Sequence, residues 1–243
     1  MKLVDKHIVI TGAASGLGLE LLHQLQPNNR VSVIARPSPG LDALRHALPG
    51  VDIYEADLSD MSSVERAADA LTGSRMTIDV LINNAAVQHT PRFTDPDFRY
   101  ETIRHEIDVN FTSICTLVHL LLPSLMRSEA GMIVNINSGL ALAPKTGSAV
   151  YCATKAAVNI FSQSLAYQLE DTNVAVRQVF LPLVDTAMTR GRGSGKLPPD
   201  RVAAAIIAGL GSRRTNIDIG KAKLLRVLLR VAPTLAAKIM KRG

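Results

Sequence analysis

Short β-branched apolar runs alternate with helical patterns almost without interruption along this chain. Runs at 7–11, 31–35, 51–55, 78–82, 131–137, 173–180 and 215–219 read as strands. Between them, apolar positions recur at helical spacing over about 17–26, 41–48, 60–72, 99–127, 149–170 and 199–210. Such alternation predicts an α/β fold, a parallel sheet with helices on both faces. Right-handed crossovers then make that sheet doubly wound. With 243 residues, 47% of them hydrophobic, the chain suits one large domain with a sizeable core. Arg190 to Lys196, carrying three glycines, reads as a flexible loop.

A last helical pattern lies beyond the seventh strand. Leu224, Leu225, Leu228, Leu229, Ala232, Leu235, Ala236 and Ile239 recur at helical spacing, with Pro233 expected to kink it. Lys223, Arg226, Arg230, Lys238, Lys241 and Arg242 surround the stripe. The pattern divides the chain into a body over 1–220 and a basic amphipathic extension of the same domain over 221–243. Charge sharpens this division. The net charge is +6, yet residues 213–243 hold nine Lys/Arg and one Asp, leaving eighteen basic and twenty acidic residues elsewhere. The body thus has no general basic character, and no nucleic-acid partner is expected. Two readings of the tail stand: a helix packed on the body or a neighbouring subunit, or an element touching an anionic membrane surface or covering a lipophilic substrate.

No uninterrupted apolar run reaches the ~18 residues that would suggest a membrane span. Met1 to Lys6 leads straight into the first strand, so no signal peptide is expected. Cys115 and Cys152 lack metal-ligand spacing and read as reduced, buried thiols of a cytoplasmic protein. His89, His105 and His119 form no metal-binding pattern, and no catalytic metal is expected.

Two local arrangements carry chemistry. His7 to Thr11 is followed by Gly12-Ala13-Ala14-Ser15-Gly16-Leu17-Gly18 and then a helical pattern. Strand, glycine turn and helix start are the parts of a phosphate cradle, in which backbone N–H groups face the anion. Tyr151 and Lys155 lie four residues apart in one helical pattern, so they share a helix face. A free phenol has a pKa near ~10, and an adjacent ammonium favours the phenolate, which suits proton transfer.

Thr11-Gly-x-x-x-Gly16-x-Gly18, Asn83-Asn84-Ala85, Ser138 and Tyr151-x-x-x-Lys155, in that order, resemble the short-chain dehydrogenase/reductase family, and within it a DltE-like branch. The resemblance implies a Rossmann fold of seven strands in the order 3-2-1-4-5-6-7. It implies a cofactor cradle of Gly12, Ala14, Ser15, Gly16, Leu17 and Gly18, with Asp57 and Leu58 at the adenine. Asn84, Ala85 and Ala86 would contact the cofactor as well, with Ala86 standing where the family has glycine. Tyr151 would be the general acid/base. Lys155 would lower its pKa and hold the nicotinamide ribose, Ser138 would bind the carbonyl oxygen, and Asn110 would position a relay water. Val184 and Thr186 belong to the loop that meets the nicotinamide amide, where Leu183 replaces a glycine, and 183–197 would form a substrate lid. Dimers or tetramers are implied through helices 99–127 and 149–170, whose Leu117, Leu121, Leu122, Phe161 and Leu165 suggest surplus apolar surface.

Cofactor choice reads from the end of the second strand. An acidic residue there would repel a 2′-phosphate, and this chain has Ala35-Arg36-Pro37 instead, so NADP(H) is preferred over NAD(H). The expected function is an NADP(H)-dependent interconversion of carbonyl and alcohol. The rival is a dinucleotide-binding redox sensor without turnover, and dehydration or epimerisation on the same fold stays open. Ser138 to Thr146 carries one charged residue, Lys145, which predicts an apolar substrate.

Overall fold

A computed structural model describes residues 3–73 and 76–241. Seven parallel strands form one sheet: β1 His7–Thr11, β2 Arg30–Ala35, β3 Asp52–Glu55, β4 Val80–Asn83, β5 Gly131–Ser138, β6 Val174–Leu181 and β7 Asn216–Asp218. Their order is β3-β2-β1-β4-β5-β6-β7, the order the resemblance implies. β1 and β4 are buried along their whole length, which is why they read as unbroken apolar runs.

Alternate residues of each strand face opposite layers. Ile8, Ile10, Val33 and Val134 pack with Leu21 and Leu22 of α1 (Gly16–Leu25), Leu41 of α2 (Pro39–Ala47) and Ile206 of α7 (Pro199–Leu210). Val9, Ile34, Leu81 and Ile133 pack on the other side with Val64 of α3 (Met61–Thr72), Leu117 and Leu121 of α5 (Ser113–Met126), and Val158 of α6 (Ala149–Gln168). Leu117, Leu121 and Leu165 are therefore core residues, and Leu122 and Phe161 pack against the same core. They are not the surplus surface the sequence suggests. The outward face of α6 instead presents Ile160 and Tyr167, 65% and 74% exposed.

Boundaries differ where local chemistry intervenes. α2 starts at Pro39 because Ser38 caps it, its hydroxyl accepting from the Leu41 amide at 3.2 Å. The predicted helix 99–127 is α4 (Glu101–Ile107), a π turn (Asp108–Thr112) and α5. Extra residues of this kind inside helices often accompany functional sites. By length and composition Glu101–Met126 is apolar enough to cross a bilayer, but half of its most apolar window is buried within the domain.

The tail forms α8 (Lys221–Val231) and α9 (Pro233–Lys241). Pro233 breaks the pattern rather than kinking it. The residue before a proline is driven out of the α region, and Ala232 sits at φ −147°, ψ 65°. Both helices pack on the body. Ala222 and Ala236 are buried, Arg226 forks onto Asp218 at 2.7 and 2.9 Å, and the Thr146 hydroxyl donates to Lys241 O at 2.6 Å. The apolar stripe is split between two faces: Leu224, Leu235 and Ile239 are exposed, while Leu225 turns inward to a cavity. Arg242 lies outside the described residues.

Candidate active site

The carboxyl ends of β1, β2, β4, β5 and β6 open into one cavity of about 1160 Å³. That edge is where parallel α/β sheets bind ligands. Every residue singled out from the sequence for cofactor contact lines it, from Gly12 through Arg36, Asp57 and Ala86 to Thr186, as do Ser138, Tyr151 and Lys155. Asn110 does not.

The cradle is built by close backbone approach. Gly12 has φ +69°, and a Cβ there would stand 2.9 Å from Ala85 Cα. A Cβ on Gly18 would stand 2.3 Å from Gly12 O, so only glycine lets α1 approach the β1 turn this closely. Ser15 begins α1 without a side-chain cap, which leaves first-turn amides for an anion. The Thr11 hydroxyl accepts from the Asn84 and Ala85 amides at 3.0 Å each. Asn84 Nδ2 in turn donates to Thr11 O at 3.0 Å and Gly12 O at 3.2 Å. These bonds lock the cradle to the wall carrying Ala86. Below them, Asn83, Asn135 and Ser162 form a buried chain of side-chain hydrogen bonds across β4, β5 and α6.

Arg36 stands exposed at the end of β2, and no ion pair engages it among the described residues. Asp57 accepts from the Ser59 amide and hydroxyl at 2.8 and 2.7 Å, bonds that hold its carboxyl below the usual range. It does not cap α3; Asp60 does, accepting from the Ser62 amide at 3.0 Å.

Tyr151 and Lys155 project from α6 and are 8% and 2% exposed. Ser138 ends β5, its hydroxyl accepting from the Leu140 amide at 3.1 Å. Lys155 Nζ donates to Ile136 O at 2.9 Å and lies 5.7 Å from the centre of the tyrosine ring. Burial pushes the Tyr151 phenol well above its ordinary value, against the weaker opposing effects of the Arg192 charge and a Ser138 hydrogen bond. Burial also pushes Lys155 down to about 8. The expectation that Lys155 lowers the tyrosine pKa thus meets a stronger effect, desolvation of the whole pair.

Asn110 sits in the π turn, fully buried. Its Oδ1 accepts from Val87 N at 2.8 Å, and its Nδ2 donates to Val87 O at 2.8 Å and the Thr154 hydroxyl at 3.2 Å. The Thr154 hydroxyl also bonds Tyr151 O at 2.9 Å. The side chain of Asn110 therefore ties the cavity wall at Val87 to the helix carrying Tyr151. The rings of His89 and His105 meet edge to face at 5.8 Å, while His119 is exposed on α5. Cys152 is buried and Cys115 half-buried.

The loop expected to be a lid is tied at its base. Leu197 N donates to Leu183 O at 3.0 Å, and Asp185 N donates to Leu197 O at 2.9 Å. Leu183, in the place of the family's glycine, packs on this loop, where a Cβ at Gly193 would lie 2.5 Å from it. Arg192, from the expected lid, Leu225, from the tail's apolar stripe, and Met240 also line the cavity, though the sequence singles out none of them individually as a site residue. Arg192 was hidden in a glycine-rich stretch, and Leu225 and Met240 belong to helices that come after every motif.

A dinucleotide suits this cavity: a glycine cradle at a helix start, a cation at the end of β2, and a polar pair on α6. The sequence model of the family described as short chain dehydrogenase matches residues 6–196. The chain belongs to the short-chain dehydrogenase family. It is 34% identical to the uncharacterized oxidoreductase DltE of Bacillus subtilis over 191 residues, 78% of this chain and 76% of that protein. It is 27% identical to a fatty acyl-CoA reductase of Acinetobacter baylyi, over 98% of this chain and 84% of the relative. A short chain dehydrogenase of Burkholderia cenocepacia in complex with NADP superposes with a TM-score of 0.88 at 25% identity, covering 99% of both chains. This short-chain dehydrogenase thus shares its fold along its whole length with a protein that holds a nicotinamide dinucleotide.

Proposed function

We propose that this short-chain dehydrogenase reduces a carbonyl, or oxidises the matching alcohol, with NADP(H), Tyr151 acting as the general acid/base. The observation that carries the proposal is the convergence of Ser138, Tyr151 and Lys155 in the cavity that the glycine cradle also lines. When bound, the nicotinamide supplies or accepts the hydride at the reacting carbon. Gly12 to Gly18 would hold the pyrophosphate and Lys155 the nicotinamide ribose. In reduction the Tyr151 hydroxyl gives its proton to the developing alkoxide, and Ser138 orients that oxygen. The buried phenol stays protonated at neutral pH, as a donor requires. A redox sensor without turnover would need the cradle but not this buried acid beside a hydroxyl and an ammonium. Oxidation of NADPH at its absorbance band, scored over a panel of ketones and aldehydes, tests the proposal; no consumption with any of them favours the sensor.

Preference for NADP(H) rests on Arg36, which stands exposed at the end of β2 and, among the described residues, in no ion pair. Arg36→Ala is expected to weaken NADPH binding by roughly 1.5–3 kcal/mol, the scale of a charge-assisted hydrogen bond, and to leave NADH binding nearly unchanged. Equal losses for both cofactors would place the guanidinium elsewhere than on the 2′-phosphate.

Assembly is proposed through α5 and α6, with Ile160 and Tyr167 at the contact. They stand seven residues apart on one side of α6 and are its most exposed large apolar groups. Light scattering at micromolar concentration should give two or four times the chain mass, and Ile160→Asp should lower it. A single-chain mass for the unaltered protein refutes the contact.

A further inference from the structure

Arg192, a half-buried cation of the cavity, has no ion-pair partner among the described residues. Arg192 reaches the cavity from the loop after β6, flanked by Gly191 and Gly193 at φ +73° and +58°. Those left-handed residues turn the loop so that the guanidinium points inward while its backbone amide bonds Thr189 O at 3.1 Å. Its Nη1 is buried with no hydrogen-bond partner. A buried unpaired guanidinium nitrogen is costly, so such a group is normally paired. Lys145, the one cation of the 138–146 stretch, lines the same cavity.

Carboxylates able to neutralise this pair are engaged elsewhere. Asp185 pairs with Lys196, Asp218 is forked by Arg226, and Glu106 accepts from the His89 amide at 2.7 Å. No ion pair reaches Arg192 or Lys145 among the described residues. The position along the cavity is also informative. The Arg192 charge is felt by the Tyr151 phenol and by Lys145, which places it at the catalytic end of the cavity. The cavity wall also carries apolar side chains: Leu140, Leu183 and Met188 from the body, Leu225 and Met240 from α8 and α9.

We infer that Arg192, with Lys145 beside it, is an anion-binding site at the catalytic end of the cavity, and that the substrate is an amphipathic carbonyl compound or alcohol bearing a carboxylate or phosphate on an apolar chain. This inference rests on the proposed oxidoreductase function for the words carbonyl and alcohol, but not for the anion site. It refines the expectation of an apolar substrate, which rests on the 138–146 stretch with its one charge, Lys145. A guanidinium forks onto either oxyanion, so the two head groups share one recognition chemistry.

Calorimetric titration of the full-length protein with hexanoate, hexyl phosphate and hexan-1-ol, with and without NADP+, separates the site from turnover. At least one anion is expected to bind more tightly than the alcohol. Arg192→Gln should weaken that anion by about 10–100-fold, the equivalent of one charge-assisted bond, and leave the alcohol unchanged. Arg192→Lys, which keeps the charge but not the fork, should restore part of the loss. The better-bound anion names the head group. Equal affinity for anions and alcohol in the unaltered protein overturns the inference, as does an equal loss for all three in Arg192→Gln. A loss of NADP+ affinity in that variant with anion preference intact overturns it too, by giving the guanidinium to the cofactor. If no ketone consumes NADPH but the calorimetric contrast holds, the proposed reaction fails and the anion site stands.

Discussion

Tyr151→Phe is expected to lower turnover by about two to four orders of magnitude, the range for loss of a general acid. The substitution keeps the ring in its buried place on α6 and removes only the hydroxyl. NADPH should still bind, because the cradle from Gly12 to Gly18 and the Asn84 clamp do not touch the phenol. The pH dependence follows from the direction of the pKa shift. Burial holds the phenol protonated well above its ordinary value. Reduction, which needs the protonated form, should therefore be flat across neutral pH. Oxidation, which needs the phenolate, should rise with pH through the alkaline range. Near-normal turnover of the phenylalanine variant would show that another group moves the proton.

Much of this site was legible because its residues lie at strand ends, where sequence punctuation is strong. The glycines of the cradle, Ser138 at the end of β5 and Arg36 at the end of β2 each follow an apolar run. The strand order was legible only through resemblance, since alternation predicts a parallel sheet but not which strands are neighbours. What stayed hidden depends on tertiary contact. Whether Leu117 and Leu165 face the sheet or a partner chain cannot be separated by helical period alone, and the sheet proved wide enough to bury both. Pro233 was visible as an interruption, yet the fold of α9 back across the cavity mouth depends on contacts such as the Thr146–Lys241 bond, between residues 95 apart. Arg192 carries no signal of its own beyond its place in the expected lid. Its meaning arises only when two left-handed glycines turn it toward a tyrosine that is remote in sequence.

Lys155→Met is expected to move activity and stability in opposite directions. The side chain is 2% exposed, and its one hydrogen bond goes to a neutral carbonyl, Ile136 O. An ammonium taken out of water carries an effective penalty of several kcal/mol, whereas a carbonyl left without its donor costs about 1–3 kcal/mol. Methionine fills similar volume without the charge, so the variant should melt higher at neutral pH while losing most of its turnover, the trade common at functional sites. The pH window fixes the test. Burial lowers Lys155 from 10.5 to about 8, so between those values the unfolded chain binds more protons than the folded one, and stability of the unaltered protein rises with pH there. The penalty is complete below about pH 8 and gone above the ordinary lysine value. The melting advantage of Lys155→Met should accordingly be largest below pH 8 and shrink as pH rises through that window. Two melting profiles that run parallel across it would mean that Lys155 titrates as a solvated lysine, and that its closeness to Tyr151 carries no electrostatic burden for catalysis to use.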